Sequence, residues 1–287
     1  MDIANSLLCE LSGSRSQTVN AYDPLCGRSD EKKFEIKYCK ESSMKLAVIS
    51  DIHGNLPALN AVLTDIQFHE VDQIVNLGDI VSGGLFPAET AERLMPLNFP
   101  TIRGNHERQL LETDFSGMSL SDKHAFKSLQ AEHWEWLKDL PAQLTFNEDI
   151  LMVHGVPGND LIYLLEEVTA SGVKPSSEAR VLALIAGRNE SLILCGHTHI
   201  PREMRLSDSR LIVNPGSVGL QAYDDDIPYV HVMESGSPHA RYAIVEKHNG
   251  LWKADFKAVK YDWESTALVA LNNNRPDYLN ALRTGRM

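Results

Sequence analysis

Residues 44–55 read MKLAVISDIHGN, an apolar run from Leu46 to Ile49 that stops at a polar loop carrying Asp51, His53 and Asn55. A short apolar run bounded by turn residues is the pattern of a strand buried on both faces. Leu56, Leu59, Leu63 and Ile66 then recur at helical spacing. Strand, loop and helix make the repeating unit of an α/β fold, and the unit returns downstream. Asp72–Leu77 is strand-like before Gly78–Gly84 (GDIVSGG), Pro87–Met95 is helical with proline in its first turn, and Thr101–Arg103 leads into Gly104–Glu107 (GNHE). Ser121 reads as the N-cap of one long helix through Leu140 that ends before Pro141, with Trp134 and Leu137 on one face.

The second half is richer in strands. Asp149–Val153, Ser191–Cys195 and Arg210–Val213 each run into a motif loop, with an Ala/Leu-rich helix over Glu178–Ala186. Ala240–Glu246 and Trp252–Val259 flank His248-Asn249-Gly250 as a hairpin, and residues 262–273 form a closing helix. Residues 1–43 carry no sustained period, so they are expected to be a poorly ordered extension, or a stretch upstream of the true start at Met44. Residues 44–287 are expected to form one domain.

The chain has 287 residues, 43% hydrophobic and 23% charged, enough for a core without staples, and its net charge is −12. That balance argues against a general nucleic-acid binder or an anionic-membrane binder, although a bound metal can invert the local field for a phosphate substrate. Cys9, Cys26, Cys39 and Cys195 show no C-x-x-C spacing, which reads as a reduced, cytoplasmic protein. No apolar run reaches the roughly 18 residues a membrane span needs, and the first residues lack the basic segment of an export signal.

Metal-capable side chains recur at strand ends: Asp51 and His53, then Asp79, then Asn105 and His106, then His154 in MVHG, then His197 and His199 in CGHTH. A lone histidine near a strand end is usually structural, but five such motifs in order are not a chance pattern. In a parallel α/β arrangement the carboxyl ends of the strands share a rim, so distant loops can converge on one crevice. Oxygen and nitrogen donors without a thiolate suit two divalent ions of the Mn, Fe, Zn or Ni kind. Two such ions against two carboxylates leave the centre positive by about two charges, and ions ~3.5–4 Å apart can share a water and clamp the oxygens of an in-line displacement at phosphorus.

At these residues the chain resembles the calcineurin-like metallophosphoesterase superfamily, whose motifs are D-x-H, G-D, G-N-H-[DE], an apolar-H-G step and G-H-[ST]-H. The resemblance spans about Met44 to Gly219. It implies a four-layer α/β/β/α sandwich and a dinuclear centre, manganese being the favoured metal. Carried over by position, Asp51, His53, Asp79 and His199 would hold one ion and Asp79, Asn105, His154 and His197 the other. His106 would be the catalytic, non-ligand histidine, protonating the leaving group after attack by a metal-bridging hydroxide.

One departure narrows the substrate. Protein Ser/Thr phosphatases and related dinucleotide tetraphosphatases read G-D-x-V-D-R-G, where the second Asp orients the catalytic His and the Arg grips phosphate. Ser82 and Gly83 stand at those places here, and Asn214-Pro215-Gly216-Ser217 matches the N-P-G-S loop of the small bacterial and archaeal phosphodiesterases. The expected activity is hydrolysis of a small phosphodiester or nucleotide. A phosphomonoesterase on the same fold is the first alternative, and a non-catalytic scaffold, like the retromer subunit built on this fold, the second. Candidate substrate contacts are Arg103, Arg108, His239 and Arg241, and Glu107 is a candidate support for a metal ligand. His69, His124, His133, His248 and Cys195 read as structural, and Tyr223 with Asp224–Asp226 as a solvated turn. Oligomeric state is not legible.

Overall fold

In the computed structural model, which describes residues 44–287, the strand opened by Met44 pairs in two ways. Lys45–Ile49 runs parallel to Gln73–Asn76 on one side and antiparallel to Ala240–His248 on the other, with Leu251–Val259 at the edge. A second sheet has Ile150–Val153, Leu192–Leu194 and Leu211–Asn214 as parallel neighbours, with Gln143–Phe146 and Arg202–Arg205 as antiparallel edges. Both sheets are therefore mixed, and the motif loops leave the carboxyl ends of their parallel strands. Thr101 joins the first sheet only through a single parallel bridge to Asn76.

Side-chain alternation explains why LAVI is apolar throughout. Leu46 and Val48 point toward Ile150, Met152, Leu192, Leu194 and Val213 of the other sheet. Ala47 and Ile49 point the other way, onto Leu59, Val62 and Leu137 of the covering helices. Leu151, Ile193 and Ile212 line the far face of the second sheet with Val181 and Ile185. The fold is mixed α/β, with two facing sheets and helices on their outer faces. Asn55 caps the helix Leu56–Ile66, accepting the amide of Ala58 at 3.1 Å, and donates its own amide to the Gly219 carbonyl at 2.8 Å.

The single helix expected from Ser121 to Leu140 is two. Leu120–Ser128 is capped by Ser119, whose hydroxyl accepts the Asp122 amide at 3.1 Å. Leu129 turns extended into the core, and Ala131–Asp139 starts anew because His133 Nδ1 accepts the Gln130 N–H at 3.1 Å. The closing helix spans Trp263–Asn272, and a second one, Tyr278–Thr284, follows it. Two further hairpins were not expected from the sequence: Glu166–Thr169 with Gly172–Pro175, and Ala222–Asp225 with His231–Glu234. The expectation for residues 1–43 lies outside the described residues. Among the described residues, no helix is long and apolar enough to cross a membrane.

Candidate metal centre

Asp51, His53, Asp79, His197 and His199 all have positive φ, between 50° and 70°. For non-glycine residues this left-handed backbone is uncommon and persists where the surroundings over-determine it. Here it follows from the loops bending back on one another as they leave the strands. The His53 amide donates to the Asp79 carbonyl at 3.0 Å, and the Asp51 amide to that of Gly78 at 3.0 Å. Close packing leaves no room for side chains at two glycines: a Cβ on Gly104 would fall 2.1 Å from Asp79 Oδ1, and one on Gly83 would fall 2.0 Å from the His53 carbonyl.

These loops gather all seven expected ligand residues into one buried cage. Asp51, His53 and His199 form one cluster of ligand atoms, and Asp79, His154 and His197 another, with His53, Asp79 and His106 overlapping both. Asp79 Oδ2 sits 4.0 Å from His53 Nε2 and 3.2 Å from His154 Nε2, between the two. Asn105 Oδ1 lies 3.1 Å from His154 Nε2, and His199 Nε2 lies 3.0 Å from His53 Nε2 and 3.4 Å from Asp51 Oδ1.

The hydrogen bonds around the cage leave it rich in lone pairs. His53 Nδ1 donates to the Ser82 carbonyl and His154 Nδ1 to that of Leu77, each at 2.8 Å. Each imidazole, if neutral, then presents a bare Nε2 toward carboxylate or amide oxygens. Buried acceptors aimed at one another repel, and a cation among them removes the conflict; the His199 Nδ1 atom is in addition buried without a partner. This donor set of carboxylate, imidazole and amide, with Cys195 buried elsewhere in the apolar core, fits two borderline divalent ions.

Titration behaviour reflects the same crowding. Burial raises the carboxyls of Asp51 and Asp79, but His199 and His154 outweigh it for Asp51, and His154 and His106 for Asp79, holding both below the usual carboxylate range. Burial, with the neighbouring imidazoles His199 and His154, lowers His53 and His197 to about 3. Asp79 and Asp51 overcome burial at His154 and raise it to about 10, so that without a metal a proton there takes a cation's place.

His106 lies at the rim, its side chain 22% exposed and its ring edge-on to His53 at 5.5 Å. Burial opposes its protonation, yet Asp79, Asp122 and Glu107 raise it to about 9. Its Nδ1 is 2.8 Å from Asp122 Oδ1, which also accepts the Ser82 hydroxyl at 2.5 Å. A carboxylate therefore does reach this histidine, although the Gly78–Gly84 loop itself carries none beyond Asp79. Glu107 is fully buried and accepts the amides of Asp79, Ile80 and Gly104 at 2.8 to 2.9 Å.

Of the four candidate substrate residues, one lines a cavity together with a residue of the cage. Arg108 is forked onto Asp160 at 2.6 and 2.9 Å, on the wall of a 480 Å³ cavity that His154 also lines. His239 bonds the Ser237 hydroxyl at 2.8 Å and packs on Trp263. Arg103 and Arg241 are half-buried, each with an unpartnered Nε, and Arg241 packs beside Gly216 and Pro201. Tyr223 is no solvated turn: its hydroxyl donates to the His197 carbonyl at 2.9 Å and its ring packs on His199. Tyr163, 2.7 Å from the Tyr223 hydroxyl, and His231 complete this wall. Asp122, Tyr163 and His231 carry no motif, so nothing local in the sequence marks them.

Residues 44–236 match the family model described as the calcineurin-like phosphoesterase superfamily domain. The chain belongs to that superfamily. As a calcineurin-like phosphoesterase it falls among metal-dependent phosphoester hydrolases. It is similar to an uncharacterized protein of Methanocaldococcus jannaschii, 28% identical over 260 residues that cover 82% of this chain and 95% of the relative. Among solved structures it is similar to a metallophosphoesterase from Sphaerobacter thermophilus, at 27% identity and a TM-score of 0.65, covering 84% of this chain and 99% of the other.

Proposed function

We propose that this calcineurin-like phosphoesterase is a phosphodiesterase acting on a small phosphodiester or nucleotide with two divalent cations, manganese favoured, in the cytoplasm. The observation that carries the reading is the cage of convergent acceptors with His106 at its rim. Asp51, His53, Asp79, Asn105, His154, His197 and His199 would hold the cations, which when bound would supply positive charge for a phosphate anion and acidify a water as nucleophile. His106, its Nδ1 held by Asp122, donates a proton to the departing oxygen, a role typically worth about 10²–10⁴ in rate. A diester monoanion needs little beyond this charge. A terminal phosphate dianion gains from a bidentate arginine, and Arg108 is committed to Asp160 while Gly83 has no room for a side chain.

Protein stripped of metal and reloaded with Mn²⁺ should cleave bis-p-nitrophenyl phosphate faster than p-nitrophenyl phosphate. Preference for the monoester, or no turnover with Mn, Ni, Fe or Zn, overturns the reading. One observation favours phosphomonoester hydrolysis instead: Arg241, beside the Asn214–Gly219 loop, has no carboxylate partner among the described residues, and burial lowers its pKa. Under that reading Arg241→Ala raises KM for the monoester selectively.

A further inference from the structure

We propose that Asp122 is the carboxylate that orients His106, and that the C-terminal segment 273–278, through Arg275, holds Asp122 in place. This rests on the reading of His106 as the proton donor. The Asp122 side chain is 2% exposed and every contact it makes serves the same placement. Oδ1 takes His106 Nδ1 at 2.8 Å and the Ser82 hydroxyl at 2.5 Å, while Oδ2 takes the Ser119 hydroxyl at 2.7 Å. With Nδ1–H committed to Asp122, Nε2 is the nitrogen left to carry the transferable proton. Ser82, on the loop that bends back over His53, thus steadies a carboxylate delivered by another element.

That element is braced from outside. Arg275 Nη1 donates to the Ser121 hydroxyl at 2.9 Å, and the Tyr278 hydroxyl lies 3.0 Å from the same oxygen. Asn273 donates to the Gly84 carbonyl at 3.0 Å, and the stem of Arg275 lies against Gly84. One short segment therefore grips the residue before Asp122 and the loop that carries Ser82. Arg275 is only 7% exposed, fastened by Asp277 at 2.6 to 3.1 Å and stacked 4.3 Å over the Tyr278 ring, so it is a fixed strut rather than a solvated chain. The segment lies beyond the residues that match the family model.

The test compares Mn²⁺-loaded wild type, Asp122→Asn, Asp122→Glu, Arg275→Met and Tyr278→Phe on bis-p-nitrophenyl phosphate and on diphenyl phosphate, whose phenolate leaves less readily and depends more on the proton donor. Asp122→Asn should lose about tenfold more rate on diphenyl phosphate than on the nitrophenyl ester, with bound metal unchanged, and Asp122→Glu should recover part of it. Arg275→Met and Tyr278→Phe should show the same selective loss, smaller. Equal loss on both esters, or no loss, overturns the assignment for Asp122, and equal loss in both C-terminal variants overturns the brace. A downfield imidazole Nδ1–H proton resonance, present in wild type and missing in Asp122→Asn and His106→Ala, reads the contact without turnover. If wild type cleaves neither ester, the proposed function fails and this resonance alone decides; its absence from wild type overturns the proposal.

Discussion

The carboxylate of Glu107 accepts the backbone N–H of Asp79 at 2.8 Å, and so holds the residue lying between the two ligand clusters by its main chain. Burial and the nearby Asp79 charge raise the Glu107 pKa, while the amides of Gly104 and Ile80 oppose the rise. Glu107→Gln replaces one acceptor oxygen by an NH₂ facing amide donors. A buried donor left unsatisfied costs about 1–3 kcal/mol, and support of this kind is typically worth about 10–100-fold in metal affinity. Urea denaturation and metal titration should report both losses; a variant that matches wild type in both assigns Glu107 no such role.

His106→Ala removes the rim histidine but none of the expected ligands. The variant should keep its metal and lose about 10²–10⁴ in turnover. Asp79→Asn should lose metal as well, since Asp79 Oδ2 faces both His53 and His154. Elemental analysis beside kinetics separates the two, and unchanged turnover in the alanine variant takes His106 out of the mechanism.

Chelated protein should be most stable near pH 6.5, the reference value for an unfolded histidine. His53 and His197, lowered to about 3, contribute stability that is complete above pH 6.5 and is lost as pH falls toward 3. His106 and His154, raised to about 9 and about 10, contribute stability that is complete below pH 6.5 and is lost as pH rises through those values. Each group acts with a limiting slope of about 1.4 kcal/mol per pH unit. A thermal midpoint that does not vary between pH 4 and 10 after chelation contradicts this picture.

Far from the cage, Asp149 ties the sheets together. Its carboxylate accepts Lys247 Nζ at 2.8 Å and the Ser191 hydroxyl at 2.6 Å, and Trp252 Nε1 donates to that same hydroxyl at 2.8 Å. Asp149→Ala should cost about 1–2 kcal/mol in chemical denaturation, with metal content and turnover unchanged. A change in metal content would show that sheet docking reaches the site.

The strand-loop-helix rhythm around Met44–Ile66 was legible because alternation and helical spacing are local properties of the chain. The break at Leu129 was not, because it depends on Leu129 finding the core and on His133 Nδ1 receiving a backbone amide, which helical periodicity does not encode. The short hairpins at 166–175 and 222–234 were missed because strands of four residues give too little alternation to read. In the site, Arg108 looked available from its place beside GNHE, and its pairing with Asp160 appears only when positions 52 apart in sequence meet.

By itself the sequence determined which side chains can bind cations and that they end strands, because donor chemistry and strand punctuation are written residue by residue. Tertiary structure alone decided that those strands belong to two facing sheets, that Glu107 grips the Asp79 backbone and that Asp122 meets His106. Such contacts join segments distant in sequence through hydrogen bonds only a few ångströms long, and no motif specifies the packing that brings them within reach.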